Sequence, residues 1–224
     1  MTKTSDDILE HLWSFLSPGR QDLFLRKIED RTKHITLAIE NVYQPHNASA
    51  VMRSADCFGV SDVHVIENDN EYVLNPNVTM GSAKWLDIHQ HNEKENNTKD
   101  ALLSLKNNGF KLVATSPHGE STRLDQLNLE QPVALLFGTE LTGLTEEALD
   151  LADETLRIPM YGFTESFNIS VSAAICLYDI TRRLHESEIG WKLTEVQRTE
   201  MLLGWARRSI KGSVNIEKRF LEGA

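Results

Sequence analysis

The order of apolar and polar residues in the first half of the chain predicts a parallel sheet. Residues 34–42 alternate and then run apolar, as in a strand, and residues 62–68 form a second such block. Between them, residues 47–58 place apolar side chains one helical turn apart. A strand, a helix and a strand joined by short connections form a βαβ unit, whose two strands are parallel.

The same alternation of strands and helices continues along the chain. Residues 132–137 (PVALLF) form an unbroken apolar run, which is typical of a central parallel strand. Further strands are predicted at residues 85–91, 110–115 and 155–160, and helices at residues 98–108 and 145–152. We therefore predict an α/β domain with a mostly parallel sheet and helices on both faces.

The helix predicted to begin after Asn168 is apolar on two sides. One row holds Val171, Ala174, Ile175 and Tyr178, and the other holds Ile169, Ala173, Cys176, Leu177 and Ile180. A helix with two apolar rows needs protein on both sides, so we expect it to be deeply buried. The polar loop before it lies between a strand end and a helix start, where backbone N–H groups are free. This loop is predicted to form the floor of a small-molecule pocket.

Helical patterns outside the sheet region predict an extension at each end. Residues 6–32 are amphipathic, and residues 193–211 form a final helix. We divide the chain into an N-terminal helical extension (residues 1–33), a central domain (34–186) and a C-terminal helical extension (187–224). The extensions carry basic residues that form either a solvated face or phosphate contacts. They are Arg20, Arg26, Lys27, Arg31, Lys33, Arg207, Arg208, Lys211, Lys218 and Arg219.

Composition favours a soluble globular protein without a metal site. Of 224 residues, 40% are hydrophobic, and the net charge of -10 argues against non-specific nucleic-acid binding but allows a local basic patch. Cys57 and Cys176 lie in apolar helical patterns without zinc-ligand spacing, so we expect two buried, reduced thiols. The N-terminus lacks signal-peptide features, and no apolar run approaches a membrane span. We therefore expect a cytoplasmic protein.

Residues 138–145 (GTELTGLT) form a glycine-containing loop that allows two interpretations. The spacing is close to that of a phosphate-binding loop, but Leu144 stands where such a loop has its lysine. This disfavours a nucleoside triphosphate, and a nucleotide-binding protein remains the weaker alternative. Gly138 and Gly143 fit a tight strand-to-helix connection or the close approach of the backbone to a ligand, and the sequence favours neither.

Asn47 and Arg53 lie on one predicted helix near the carboxyl ends of the strands, where open parallel sheets bind ligands. Asn47 is predicted to cap that helix. Each residue alone also fits a purely structural role. However, helical side chains lean toward the helix N-terminus, so we expect Arg53 to reach back over the strand ends near Asn47.

Three segments together resemble the sequence motifs of the SPOUT-superfamily RNA 2′-O-ribose methyltransferases. They are residues 47–60 (NASAVMRSADCFGV), 134–145 (ALLFGTELTGLT) and 157–179 (RIPMYGFTESFNISVSAAICLYD). Their order and spacing are specific, although no segment alone would be. The chain is most similar to the tRNA (guanosine-2′-O-)-methyltransferases that modify guanosine 18 in the D-loop.

The resemblance implies an α/β fold with a C-terminal trefoil knot, in which the last strand and the following helix pass through a loop of the chain. It also implies an obligate homodimer, S-adenosylmethionine as cofactor, tRNA as substrate and no metal. By correspondence with the motifs, the catalytic residues are Arg53, Asn47, Glu140 and Asn168. The cofactor contacts are Thr115, Gly138, Ile158, Met160, Ser166 and Phe167.

Two residues depart from the family pattern and leave the choice of RNA open. Leu141 stands where relatives often have lysine, and Phe167 where they commonly have leucine. The alternatives are a methyltransferase acting on ribosomal RNA or another tRNA position, and a catalytically silent RNA-binding module. The short N-terminal extension favours tRNA. An enzyme is favoured because the four motif residues are intact: Asn47, Arg53, Glu140 and Asn168.

Overall fold

The computed structural model describes residues 3–116 and 121–223, and its centre is one parallel sheet. The strands are β1 (Ile35–Glu40), β2 (Asp62–Ile66), β3 (Asp87–His91), β4 (Lys111–Thr115), β5 (Thr122–Arg123), β6 (Val133–Phe137) and β7 (Glu154–Arg157). In these ranges the seven strands pair in the order β3-β2-β1-β6-β4-β7-β5, with every pair parallel. The predicted parallel sheet is confirmed.

Helices occupy the connections between strands and both ends of the chain. The helices of the described ranges are α1 (Ser5–Trp13), α2 (Pro18–Ile28), α3 (Pro45–Cys57), α4 (Pro76–Thr79), α5 (Thr98–Asn107), α6 (Glu146–Leu151), α7 (Ile169–His185), α8 (Glu195–Ser209) and α9 (Ser213–Glu222). Three elements were not predicted from the sequence: α4, α9 and the two-residue strand β5. The elements α4 and β5 contain too few residues to show a period, and the many charged residues of α9 made that segment resemble an irregular polar tail.

The chain divides into two compact units, residues 1–31 with 192–224 and residues 32–191. The described part of the first unit holds α1, α2, α8 and α9. There Phe24 packs edge-on against Trp205, with ring centroids 5.3 Å apart. Arg31 is 6% exposed and lies over the Trp205 ring. The expectation that Arg31 belongs to a solvated basic face or contacts phosphate is therefore wrong.

The sheet unit has one apolar core on each face of the sheet. Leu37 and Ile39 of β1 belong to the core that includes residues of α3 and α7, whereas Ala38 belongs to the core that includes residues of α5 and α6. This follows from the alternation of side chains along a strand. Full burial of a Leu or Ile side chain contributes about 1.5–3 kcal/mol, so the central strand anchors both layers.

Helix α7 is buried on one of its two apolar rows. Ala173, Cys176 and Leu177 are 0% exposed, as predicted for the second row. In the other row Val171 is 44% and Tyr178 is 60% exposed. The expectation that the whole helix is deeply buried is therefore wrong for Val171 and Tyr178, whereas Ile175 of the same row packs against the core. Part of this apolar row faces solvent in the single chain.

Three further findings concern the elements predicted from sequence. The last strand ends at Arg157, so the residues from Ile158 to Met160 lie in the loop that follows it. Cys176 is buried as expected, but Cys57, at the end of α3, is exposed, so that expectation is wrong. No helix of the described ranges has both the length and the apolar content needed to cross a lipid bilayer.

Glu40 joins the central strand to the starts of two helices. Its side chain is 2% exposed and accepts hydrogen bonds from the Thr98 hydroxyl at 2.6 Å, the Thr145 hydroxyl at 2.7 Å and the Thr145 backbone N–H at 2.9 Å. Thr145 is also the N-cap of α6, as predicted, and accepts from the Ala148 N–H. One buried carboxyl group thus fixes where α5 and α6 begin against the sheet.

We predict that Glu40→Ala lowers the free energy of unfolding by roughly 3 kcal/mol, because it leaves buried donors unsatisfied and opens a cavity. Urea denaturation measures the change. The matched control is Glu130→Ala, an exposed acidic residue, which should change stability by less than about 0.5 kcal/mol. Equal stability of the two variants would contradict this role for Glu40.

Candidate functional site

A cavity of about 490 Å³ opens at the carboxyl edge of strands β4, β6 and β7. This is the edge where parallel sheets bind ligands. Each of the six residues predicted as cofactor contacts lines it: Thr115, Gly138, Ile158, Met160, Ser166 and Phe167. Further lining residues, which were not predicted as cofactor contacts, include Ser116, Leu144, Leu149, Ser172 and Cys176. Leu144 and Leu149 come from the segment around α6, and Ser172 and Cys176 from the first turns of α7.

The loop after β6 folds back on itself at Gly138. A β-carbon built at Gly138 would overlap the backbone of Gly143 and Leu144. Thr139 and Gly143 exchange backbone hydrogen bonds of 3.0 and 3.1 Å, and Gly143 has a φ of 71°. Both glycines therefore serve the tight connection that was one of the two interpretations. The same loop also forms a wall of the cavity, so the two interpretations are compatible.

Asn47 is the centre of a hydrogen-bond network between the start of α3, the loop after β6 and the start of α7. It is 4% exposed, and its side-chain amide donates to the carboxylate of Glu140 and, at 3.2 Å, to Gln44. Its side-chain oxygen accepts from the amide of Asn168 at 3.1 Å. The prediction that Asn47 caps α3 is wrong, because the helix begins at Pro45 with Gln44 as N-cap. The Asn47 side chain instead points across to the other two motif segments.

Asn168 holds the start of α7 in the same network. Its side-chain oxygen accepts from the Ser170 backbone N–H at 2.9 Å and the Ser170 hydroxyl at 2.6 Å, as a helix N-cap does. Its amide remains available to donate to Asn47. The structure therefore brings together three of the four predicted catalytic residues, Asn47, Glu140 and Asn168.

Arg53 is the fourth, and the single chain does not bring it into the cavity. It is exposed on α3 and is absent from the described residues that line the cavity. Within the described ranges its guanidinium has no hydrogen-bond or ion-pair partner. The expected return of this side chain over the strand ends is not observed. Arg53 lies six residues after Asn47, fewer than two turns of helix, and α3 packs on α7.

The inner part of the cavity is apolar and carries no reactive thiolate. Burial, with a smaller effect from the charge of Asp179, raises the pKa of the Cys176 thiol to about 12. The thiol is therefore neutral at pH 7 and serves as a small apolar group. In the described ranges no group of three or more His, Cys, Asp or Glu residues could hold a metal ion. The remaining polar groups suit hydrogen bonding to an organic ligand.

Comparison with known proteins gives consistent matches across the chain. The model of the SpoU rRNA Methylase family matches residues 34–178. The tRNA (guanosine(18)-2′-O)-methyltransferase of Borreliella burgdorferi is 39% identical over 95% of this chain and 97% of its own length. The enzyme of the same name from Escherichia coli is 32% identical over 75% of this chain and 72% of its own.

Solved structures agree with these sequence matches. The A. aeolicus TrmH/SpoU tRNA modifying enzyme is 31% identical, with a TM-score of 0.76 over 86% of this chain and 97% of its own. The SpoU methyltransferase AviRb from Streptomyces viridochromogenes, in complex with AdoMet, is 27% identical, with a TM-score of 0.60 over 73% of this chain and 65% of its own. The family match covers most of the chain and contains all the segments that form the cavity. This chain belongs to the SpoU methylase family.

Proposed function

We propose that this protein transfers a methyl group from S-adenosylmethionine to the ribose 2′-hydroxyl of a guanosine in tRNA, namely guanosine 18 of the D-loop. The observation that carries the proposal is the convergence of Asn47, Glu140 and Asn168 beside one cavity. The family match and the names of relatives from B. burgdorferi and E. coli support the same reaction.

The cavity fits the proposed cofactor in size and chemistry. Its volume of about 490 Å³ lies in the usual range for small-molecule sites. Ile158, Met160 and Phe167 offer apolar walls, while Thr115 and Ser166 offer polar groups. When bound, S-adenosylmethionine supplies a methyl group activated by its sulfonium. Two similar methyltransferases, AviRb and an rRNA methyltransferase from Sinorhizobium meliloti, have structures with AdoMet.

The chain's own residues then orient the substrate and activate its 2′-hydroxyl. The Asn47–Glu140–Asn168 network holds the three motif segments in place before RNA arrives. By correspondence with the family motif, Arg53 is the proposed catalytic group that acts on the 2′-hydroxyl. Because free arginine has a pKa above about 12 and stays protonated at pH 7, we infer that Arg53 polarises the hydroxyl while a nearby RNA phosphate positions Arg53 and takes up the proton.

A homodimer accounts for the position of Arg53. Val171 and Tyr178, in one apolar row of α7, are exposed. Helix α3 lies beside this row, and the ring centroids of Phe58, which follows α3, and Tyr178 are 6.4 Å apart. A second copy on this face would bury the apolar row. It would also bring a second Arg53 close to the first cavity. We therefore propose that each active site combines one chain's cavity with the other chain's arginine.

The knot, the division into domains and the location are further proposals. Strand β7 enters the sheet between β4 and β5, both earlier in the chain, which fits threading of β7 and α7 through a loop. Residues 34–186 would form the catalytic domain. The extensions at residues 1–33 and 187–224 would hold tRNA through their exposed basic residues. Such a protein would act in the cytoplasm, where tRNA is found.

Ribosomal RNA is the second candidate substrate. The family model carries the description SpoU rRNA Methylase, and the S. meliloti rRNA methyltransferase is 28% identical to this chain, with a TM-score of 0.59. That match covers 60% of the larger protein, whereas the B. burgdorferi tRNA enzyme is matched over 97% of its length. The full-length match favours tRNA.

The proposed function predicts which nucleotide is modified. Incubation of the protein with total tRNA, ribosomal RNA and radiolabelled S-adenosylmethionine should place label in tRNA, and mapping should locate it on the ribose of guanosine 18. A transcript with 2′-deoxyguanosine at that position is the control and should take no label. Label only in ribosomal RNA would support the second candidate, and no label in either RNA would contradict both.

We predict that Arg53→Ala lowers the rate of transfer by roughly 10³-fold, within the range for loss of a group that assists proton transfer. Cofactor binding, measured by calorimetry, and thermal stability should not change, because the side chain is exposed and unpaired in the described chain. Mixed dimers of Arg53→Ala with a variant that cannot bind cofactor should regain activity. No recovery would contradict a site shared between chains.

We predict that Gly138→Ala weakens cofactor binding by at least roughly tenfold, because the new methyl group must displace the backbone at Gly143 and Leu144. The matched control is Gly162→Ala, in the facing loop, where an added β-carbon meets no atom within 4 Å. Calorimetry with S-adenosylmethionine compares the two variants. Equal affinities would show that the fold of this loop does not determine binding. At a cofactor concentration well below its raised Kd, Gly138→Ala also supplies the cofactor-free chain for the mixed dimers.

A further inference from the structure

Two arginines lie side by side at the end of the sheet next to the cavity. Arg123 of β5 and Arg157 of β7 are register partners in neighbouring parallel strands, and both are exposed. Arg123 is paired with Asp125 at 3.0 Å. Within the described residues, Arg157 has no partner. Like charges placed directly opposite in a sheet are destabilising, and a bound anion would offset the repulsion between these two arginines.

Two aromatic side chains in the loop that follows Arg157 are exposed to solvent. Tyr161 is 93% exposed and Phe163 is 107% exposed, the latter as open as an isolated residue. They belong to the loop between β7 and α7, in which Met160 and Glu165 line the cavity. An exposed Phe or Tyr alone needs no explanation, but two together beside a ligand site mark a contact surface.

The aromatic and basic groups form one surface. Arg157 lies beside Arg123 in the register of β7 and β5. Tyr161 and Phe163 follow Arg157 by four and six residues. We call Arg123, Arg157, Tyr161 and Phe163 the arginine–aromatic patch.

We propose that the arginine–aromatic patch binds an unpaired nucleotide of the RNA substrate, with its phosphate on Arg157 and its base stacked on Tyr161 and Phe163. The proposal rests on the proposed function and identifies where RNA enters next to the cavity. Aromatic rings stack on bases of any sequence, and arginine recognises phosphate through its fork of N–H groups. A ribose can reach a buried methyl group only if its nucleotide leaves the folded RNA, and a stacking surface stabilises that open form.

Charge favours RNA over a second protein chain on this surface. A protein interface here would remove two neighbouring guanidinium groups from water, with one carboxylate to offset them. The chain as a whole has a net charge of -10, so an unpaired arginine is a local exception suited to a polyanion. The exposed row of α7 already offers a separate apolar surface for a second copy.

Replacing both rings with leucine tests the stacking. Tyr161→Leu/Phe163→Leu keeps apolar side chains that could still pack against protein but removes the flat rings that a base needs. We expect the Kd for tRNA, measured by filter binding, to rise roughly tenfold or more. The Kd for S-adenosylmethionine and the oligomeric state from light scattering should stay as in the unmodified protein.

Replacing the unpaired arginine tests the phosphate contact. Arg157→Gln should weaken tRNA binding and lower the slope of log Kd against log salt by roughly 0.7 to 0.9, the loss of one phosphate contact. The matched control is Lys94→Gln, an exposed lysine bonded to Asp100 beside α5. Lys94→Gln should leave both the affinity and the slope unchanged.

Three outcomes would overturn the proposal. They are an unchanged tRNA Kd in the leucine variant, equal effects of Arg157→Gln and Lys94→Gln, and a change of oligomeric state that accounts for the loss of affinity. These outcomes are independent of the proposed function. If the unmodified protein methylates tRNA while the variants bind it normally, the patch fails and the function stands. If the unmodified protein does not transfer methyl groups, the function fails whatever the variants bind.

Discussion

The hydrogen bonds around Asn47 are the constraint that makes three distant parts of the chain into one site. The amide of Asn47 donates to Glu140 and its oxygen accepts from Asn168. Both functional ends of the side chain are used, and the residue is buried, so neither partner could be lost without leaving an unsatisfied polar group. The network thereby couples the start of α3, the loop after β6 and the start of α7. Each of these three segments is therefore bonded to the same buried side chain.

Close packing of backbone, rather than side-chain chemistry, shapes the cavity itself. At Gly138 the chain crosses so near to Gly143 that no other residue fits without movement. The crossing places Leu144 in the core behind the cavity, where it is 8% exposed. A lysine could not be accommodated there without burying its charge. The loop therefore resembles a phosphate-binding loop in spacing but serves a different ligand class. This explains why leucine, and not lysine, stands at position 144.

The sheet could be predicted from the sequence because its strands and covering helices have clear periods. The Thr145 cap was also predictable, since a hydroxyl before two glutamates is a local signal. Tertiary contacts decided the rest. Asn47 lies within the first turn of α3 rather than at its cap because the helix starts at Pro45, and its partners lie far along the chain. Periodicity identified the two apolar rows of α7 but not which of them is buried, and it carries no information on where the exposed side chain of Arg53 lies.

The bonds of Glu40 also bear on how a ligand reaches the cavity. Thr145, immediately after the loop of residues 138–144, is tied to the central strand through that buried carboxyl group. The loop is thus clamped at both ends, by the crossing at Gly138 and by Thr145. The facing segment, residues 161–168, is exposed throughout and is held mainly at Asn168. The segment of residues 161–168 has fewer attachments to the rest of the chain than the loop of residues 138–144, so displacing it costs less free energy. We therefore expect ligands to enter and leave the cavity on the side that carries Tyr161 and Phe163.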